Sequence, residues 1–259
     1  MVLFLFLSHL ALGIVFTLVL VSREAGVKFF RFNARLAAIL IGVALAFRPS
    51  GLERSAAGVA FAALLAAEVA IVVYWATVGR ALASIQPAIV GLALCAGVVA
   101  LVAQAFTFAG TPTLPVRMLT VASFLSSAAL LGSACTAMIL GHWYLVIPSL
   151  QVGHLQAIVK VHIVSIIVRI VVVAAAVFGG IALWQSGFRH YMMSIDGIFF
   201  WQRVLFGLAG PLLLSYLTWE TAKIRSTQSA TGILYVDFFT VVVGEVLAKY
   251  LLLTTRVPL

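Results

Sequence analysis

Residues 141–170 read GHWYLVIPSLQVGHLQAIVKVHIVSIIVRI. Two apolar arms flank a break at Pro148, a residue that lacks the backbone donor a helix needs and disfavours helix just before it. The first arm closes an apolar run that begins at about residue 117, and the second opens one that reaches about residue 184. Each run exceeds the roughly 18–20 apolar residues that carry a helix across a bilayer. A link of about ten residues makes the two helices antiparallel neighbours. The stretch therefore predicts a membrane hairpin, and the rest of the chain decides how many more there are.

Composition points the same way throughout. Of 259 residues, 64% are hydrophobic and 9% charged, and the mean hydropathy is +1.22. A soluble domain carries about 25% charged residues, so this chain cannot clothe a water-facing surface. Strands of an outer-membrane barrel alternate polar and apolar residues over about ten positions, and these segments do not. The expectation is an all-α polytopic membrane bundle, a single transmembrane domain over 1–259. Its helices are expected at about 2–22, 34–47, 55–78, 86–109, 117–147, 158–184, 202–221 and 231–253. The second is short and could begin earlier, within FFRF. Arg48-Pro49-Ser50-Gly51, Gly110-Thr111-Pro112 and Pro148 mark the breaks, and Pro211 is the only proline deep inside a span. The longest loop is expected at about Gln185 to Trp201, too short for a soluble domain.

The net charge of +9 does not indicate nucleic acid. Its basic residues are scattered at helix ends, where they meet head groups and set topology. Only Arg23, Lys28, Arg31 and Arg35 cluster, in REAGVKFFRFNAR. By the positive-inside rule that loop is cytoplasmic and both termini lie outside, the arrangement of a bacterial inner-membrane protein. The N-terminal MVLFLFLSHLALGIVFTLVLVS lacks the positive n-region and small-residue cleavage site of a signal peptide and reads as a retained first helix. Cys95 and Cys135 lie inside apolar runs with no metal or disulfide spacing. No nucleophile elbow, zinc-helix or phosphate-loop motif occurs.

Function is sought among the ionisable residues inside spans, since a charge at the centre of a membrane helix costs about 2.5–3.5 kcal/mol or more. Glu68 lies mid-span in the third helix. His162, Ser165 and Arg169 share one face of the sixth, at spacings of three and seven. Asp237, Glu245 and Lys249 lie in the eighth. Glu245 and Lys249, four apart, can neutralise each other. Arg169, roughly 11 residues or about 16 Å into its helix, needs a partner, with Glu68 or Asp237 the candidates. Glu220 beside Lys223 reads as interfacial. Glu68, Asp237 and Glu245 are the candidates for a proton relay.

His142, about six residues before the end of the fifth helix, and His162, about five after the start of the sixth, are expected at equal depth across the hairpin. Such a pair suits the iron of a b-type haem held by both imidazoles. It equally suits a quinone, whose carbonyl accepts from an imidazole able to exchange a proton near neutral pH. It also suits two interfacial polar residues with no ligand between them. Lys160 could meet a haem propionate or the head groups, and His154 could carry protons from the aqueous phase. His9, near the opposite face, would belong to a different site.

The last helix contains GEVLAKYLLL, Gly244 to Leu253. This segment, with the count of eight helices, resembles the closing helix of quinone-linked membrane anchors of the dimethyl-sulfoxide-reductase and polysulfide-reductase type. The likeness covers about ten residues. It implies a subunit that passes electrons between quinone and an attached iron–sulfur protein, as a rule without haem of its own. The sequence thus predicts a non-catalytic or quinone-reactive subunit of a respiratory electron-transfer complex. It would handle quinone, haem b or both, in contact with the lipid bilayer and with other subunits such as an iron–sulfur or cytochrome protein. Phe29, Phe30 and Phe32 of the basic loop are the expected docking surface. The rival classes are a proton- or cation-coupled transporter, with Glu68, Arg169, Asp237 and Glu245 as its relay, and a structural scaffold. No internal repeat of the kind many transporters carry is visible in the sequence.

Overall fold

The structure, a computed structural model, describes residues 1–48, 55–81, 83–109, 113–147, 150–194 and 197–259; for Ser55, Gly180 and residues 181–192 it describes the backbone alone. The breaks expected at Pro49 to Gly51, at Gly110 to Pro112 and at Pro148 lie outside the described residues. The chain is an all-α integral membrane protein, with no strand among the described residues. We number its helices α1 (Val2–Leu18), α2 (Val27–Ala46), α3 (Ser55–Thr77), α4 (Gln86–Phe108), α5 (Leu114–Val146), α6 (Val152–Met193), α7 (Ile198–Lys223) and α8 (Thr227–Thr255). Six of them, α2 to α7, are long and apolar enough to cross a membrane. The 17-residue α1 is shorter but apolar, and α8 carries three charged side chains in its interior.

Helices α1 and α5 form the core of the bundle. α1 packs on α2, α4, α5 and α8, and α5 on α1, α4, α6 and α8. The α3–α4 hairpin flanks α1 on one side, and α7 packs with α8 on the other. With lipid replacing water outside, no hydrophobic drive pulls membrane helices together, and close packing of small residues does that work instead. Two glycine pairs carry it here. A Cβ on Gly13 of α1 would lie 1.9 Å from the Ala128 carbonyl oxygen, and one on Gly132 of α5 would lie 2.0 Å from Gly13. In the same way a Cβ on Gly207 of α7 would lie 2.6 Å from Gly244 Cα of α8. At both crossings backbone meets backbone.

Three boundaries differ from the sequence expectation. α2 begins at Val27, because the basic loop is itself structured: Ser22 caps a 3-10 turn at Arg23–Ala25, and Gly26, at φ +84°, swings the chain into the helix. Phe29 and Phe30 are then turned inward and buried, Phe29 edge-on to Trp143 at 5.8 Å. They are core residues and not a docking surface; Phe32 alone of the three is exposed. α6 starts at Val152 and so takes in His154, which the sequence places in a loop. It also continues to Met193, so most of the long loop expected at 185–201 is helix, as a stretch free of proline allows.

The third difference lies inside α7. Residues Leu205–Ala209 form a π-turn, and Pro211 follows it. Proline has no N–H to give the carbonyl four residues back, which is that of Gly207. Arg203 Nη1 donates to that carbonyl at 3.0 Å instead. The missing donor thus leaves a place for a guanidinium folded along its own helix.

The glycine crossings yield the first prediction. Gly13→Ala and Gly207→Ala each force backbone apart and should cost about 1–3 kcal/mol or more. Gly91→Ala, whose Cβ would meet nothing within 4 Å, should leave stability unchanged. Thermal melts of the three variants in detergent, scored by loss of the monodisperse peak, make the comparison.

Candidate functional site

Three helices turn polar stripes toward one seam. α5 contributes Ser123, Ser126, Ser127 and Ser133, which fall within about 120° of one another around the helix; α6 contributes His162, Ser165 and Arg169; α8 contributes Asp237, Glu245 and Lys249. All ten are buried. Ser165 turns its hydroxyl back to the Val161 carbonyl and serves only its own helix. The rest assemble into two clusters stacked along the seam.

The larger cluster centres on Glu245. Its Oε1 accepts from Arg169 Nε at 2.9 Å and from Arg203 Nη2 at 2.7 Å. Its Oε2 accepts from Arg169 Nη2 at 3.2 Å and from the Ser127 hydroxyl at 2.5 Å, with Lys249 Nζ at 3.5 Å. Arg169 therefore grips the carboxylate with two parallel bonds, the geometry that guanidinium favours. Its Nη1 goes to the Ser123 carbonyl and hydroxyl and to the Ser126 hydroxyl, at 3.0, 2.8 and 3.3 Å, and Nη2 also reaches the Leu259 main-chain oxygen at 2.9 Å. No guanidinium nitrogen of Arg169 is left without an acceptor. Three basic groups thus surround one carboxylate at zero or near-zero exposure.

Ser127 is the junction of this cluster. Its hydroxyl donates to Glu245, accepts from Lys249 Nζ at 2.6 Å, and lies 3.1 Å from His9 Nδ1 on α1. A hydroxyl has one proton to give and two lone pairs to share, so His9 fits as the Nδ1–H donor. The Gly13–Gly132 crossing, one turn along α1, is what lets His9 come this close. Phe124 closes the space beside it, edge-on to the His9 ring at 4.7 Å and under Lys249 at 5.4 Å. Glu245, Lys249 and His9, three groups able to exchange a proton, thus meet at one hydroxyl.

The smaller cluster lies about 9 Å further along α5, the rise of the six residues from Ser127 to Ser133. His162 Nδ1 is 3.0 Å from the Ser133 hydroxyl and Nε2 is 2.7 Å from Asp237 Oδ2. That last contact is close in distance but does not meet hydrogen-bond geometry, so it is a polar contact and not a formed hydrogen bond. Leu130 and Val241 fill the gap between the clusters.

The structure separates several residues that the sequence groups together. His142 and His162 do not face each other. His162 is level with Ser133, and His142 lies nine residues on, about 13.5 Å along α5 and half-way around it. His142 is exposed and pairs with the Tyr235 hydroxyl at 3.0 Å. Tyr235 and Asp237, the α8 partners of the two histidines, point about 200° apart. The expectation of equal depth fails because α6 begins six residues early and shifts the register. A haem iron held by both imidazoles does not fit this arrangement, since both His162 nitrogens already face protein groups.

Arg169 pairs with Glu245, not with Glu68 or Asp237. Glu68 lies on the α2 side of α3, its Oε1 nearest to Gly42 and its Oε2 without a partner, outside both clusters. Glu245 and Lys249 do approach each other, within a network larger than the pair. Lys160 lies over the Trp219 ring at 5.0 Å, beside the exposed Glu220–Lys223 pair at 2.7 Å, an interfacial setting. His154 binds Glu24 of the 3-10 turn at 2.6 Å, at the surface. Arg203, at the start of the expected seventh helix, is fully buried on Glu245. Gly207 and Pro211 downstream of it were the available signal.

No protein-family model, curated protein or solved structure matches the chain. Among the described residues no three His, Cys, Asp or Glu side chains converge as a metal site.

Removing one partner of a buried ion pair costs about 3–5 kcal/mol, because the other charge stays buried and bare. Glu245→Gln strands three cations at once and is expected to abolish the folded protein, whereas Glu68→Gln, which breaks no contact, is expected to be neutral or stabilising. Yield of monodisperse protein and resistance to sodium dodecyl sulfate unfolding distinguish the two.

Proposed function

We propose that the chain is the quinone-handling membrane subunit of an electron-transfer complex, with the Glu245 cluster as its proton-exchanging centre. One observation carries the reading. An apolar cavity of about 320 Å³ lies between α1, α4 and α5, and its wall includes Ser126, whose hydroxyl accepts from Arg169 Nη1.

Leu12, Phe16, Leu101 and Leu125 line the cavity, and Ala93 and Gly97 leave the space that larger side chains would fill. The stretch Ala93–Leu101 is the middle of α4, so the cavity lies at the depth of the hydrocarbon. Val98 of α4 and Val168 of α6, also in its wall, are 41% and 46% exposed on the lipid side. Only a lipophilic molecule enters by such a route. Inside, the Ser126 hydroxyl, which donates to the Ser123 carbonyl at 3.2 Å, can turn to a ligand's acceptor oxygen instead, and Arg169 behind it is fixed by Glu245.

A quinone matches both demands, since it travels in the bilayer and its reduction consumes two electrons and two protons. The chain's own residues supply the binding and the protons: Ser126 orients a carbonyl, Arg169 polarises that hydroxyl, and Lys249 and His9, beside Glu245, hold exchangeable protons one shell further in. The electrons come from an attached redox subunit. The GEVLAKYLLL likeness supports the same reading, because its Gly244, Glu245 and Lys249 are the residues that seat α8 on α7 and build the cluster.

The test is labelling by a photoreactive quinone analogue in membranes. Label is expected on α4 and α5 around Gly97 and Ser126. Gly97→Phe, whose Cβ would meet the flexible Leu12 side chain at 2.9 Å, should lower it about tenfold or more. Ser126→Ala should weaken binding by about two- to tenfold, the value of one hydrogen bond of about 0.5–1.5 kcal/mol. Label spread evenly over the lipid-facing surface would refute the quinone site. Proton-driven solute uptake without such label would favour the transporter reading.

A further inference from the structure

The Glu245 cluster is sealed from lipid and from water, yet a group that exchanges protons needs a route to an aqueous phase. A second, narrow cavity lies where the start of α1, the end of α2, the start of α3 and the end of α4 meet. Phe4, Phe61, Leu64, Thr107 and Gln104 line it, and Arg48 stands at its mouth, stacked over Phe61 at 4.3 Å. Arg48 is exposed, so the mouth faces the bundle's aqueous end, the end opposite the basic segment 23–35. The cavity has about 20 Å³ of room for water centres, enough for one water molecule.

Gln104, in the cavity wall, and His9, behind Gln104, each carry a buried nitrogen without a partner. Gln104 is 1% exposed; its Oε1 accepts from the Ser8 hydroxyl at 3.4 Å, and its Nε2 has no acceptor. His9 is 0% exposed; its Nδ1 serves Ser127, and its Nε2 has no donor, with the Gln104 side chain within reach of the ring. An unmet buried polar atom costs about 1–3 kcal/mol, and the Gln104 amide beside a water-sized space is what an internal water satisfies.

We infer that protons reach Lys249, beside Glu245, from the Arg48 end of the bundle, through water at Gln104 and then through His9 and Ser127. The inference rests on the reading of the cluster as proton-exchanging, and it does not depend on quinone. The step balances. A proton added at His9 Nε2 is matched by the Nδ1 proton passing to Ser127 Oγ, whose own proton passes to the neutral amine of Lys249, 2.6 Å away. The net change is one proton moved from cavity water to the Lys249 amine, with Glu245 ionised throughout. The imidazole returns to its first tautomer when the ring turns over or when the hops run in reverse. Lys249, Arg169 and Phe124 face the same hydroxyl and ring, and hold the file of donors in place.

Two measurements on the full chain in membranes test this. In a background with Cys95→Ala and Cys135→Ala, Thr107→Cys and Gln104→Cys should react with the water-soluble reagent methanethiosulfonate ethylammonium, within about tenfold of the rate at Arg48→Cys. Val98→Cys, on the lipid side of the same helix, should not. In the second measurement, the chain is labelled with 15N-histidine and transferred to heavy water. The His9 ring signal, identified by its loss in His9→Gln, should exchange rapidly, and Gln104→Leu should slow it about tenfold or more. The His162 ring, equally buried but in the other cluster, should keep its rate. His9→Gln preserves a donor to Ser127 and guards against simple loss of fold. Unreactive cysteines at both positions, or His9 exchange that Gln104→Leu leaves unchanged, would overturn the route. Neither result bears on quinone labelling, so the route and the quinone reading stand or fall separately.

Discussion

One carboxylate holds this bundle together. Among the described residues Glu245 is the single acidic side chain in contact with Arg169, Arg203 and Lys249, and these four side chains come from three helices, α6, α7 and α8. In hydrocarbon none of the four is tolerable alone. The network can therefore form only when α6, α7 and α8 are packed at one register, and α5 must join them because Ser123, Ser126 and Ser127 complete the coordination. Apolar packing in a membrane discriminates weakly between registers, since lipid is as apolar as leucine. The ion cluster supplies the discrimination, and the two glycine crossings permit the approach that it needs.

That constraint explains what the sequence did and did not reveal. The helical membrane class follows from apolar runs alone, and so does the pairing of α5 with α6, because a short link leaves no other neighbour. The polar face of α6 follows from helical spacing. Partner choice does not, because it depends on which helices are neighbours across the bundle. Arg169 has acids within reach on paper in two helices, α3 and α8, and only the packing of α8 against α5 selects Glu245. The equal depth of His142 and His162 rested on helix ends, the least certain feature of any such reading, and α6 begins early enough to move His162 down to Ser133.

Arg203 was hidden for a different reason. A basic residue near a predicted span end normally meets head groups, and nothing in its own neighbourhood says otherwise. Its burial follows from the π-turn and from Pro211, which together open one carbonyl and tilt the side chain inward. π-turns are rare and concentrate at functional positions, and this one delivers a cation to the centre of the cluster. His9 was legible as a residue out of place but not as a member of the site, because the Gly13–Gly132 contact that carries it to Ser127 joins segments more than a hundred residues apart.

The arrangement divides labour between two kinds of access. The cavity at Ser126 opens toward lipid at mid-membrane, and the cavity at Gln104 opens toward the aqueous end marked by Arg48. They approach the same ion cluster from different sides, one through Arg169 and the other through His9. Neither cavity reaches both phases, so a lipophilic molecule and water can each approach the Glu245 cluster without meeting. A protein whose only task was to hold partners together would gain nothing from this separation, since a buried ion network is costly where plain apolar packing would serve. The proposed chemistry, which joins a lipid-borne reactant to aqueous protons, would require it, because an open water path would let ions leak while a sealed apolar core would leave the reactant without protons. On that proposal the Ser127 hydroxyl, set between His9, Lys249 and Glu245, is the point at which the two requirements would be reconciled.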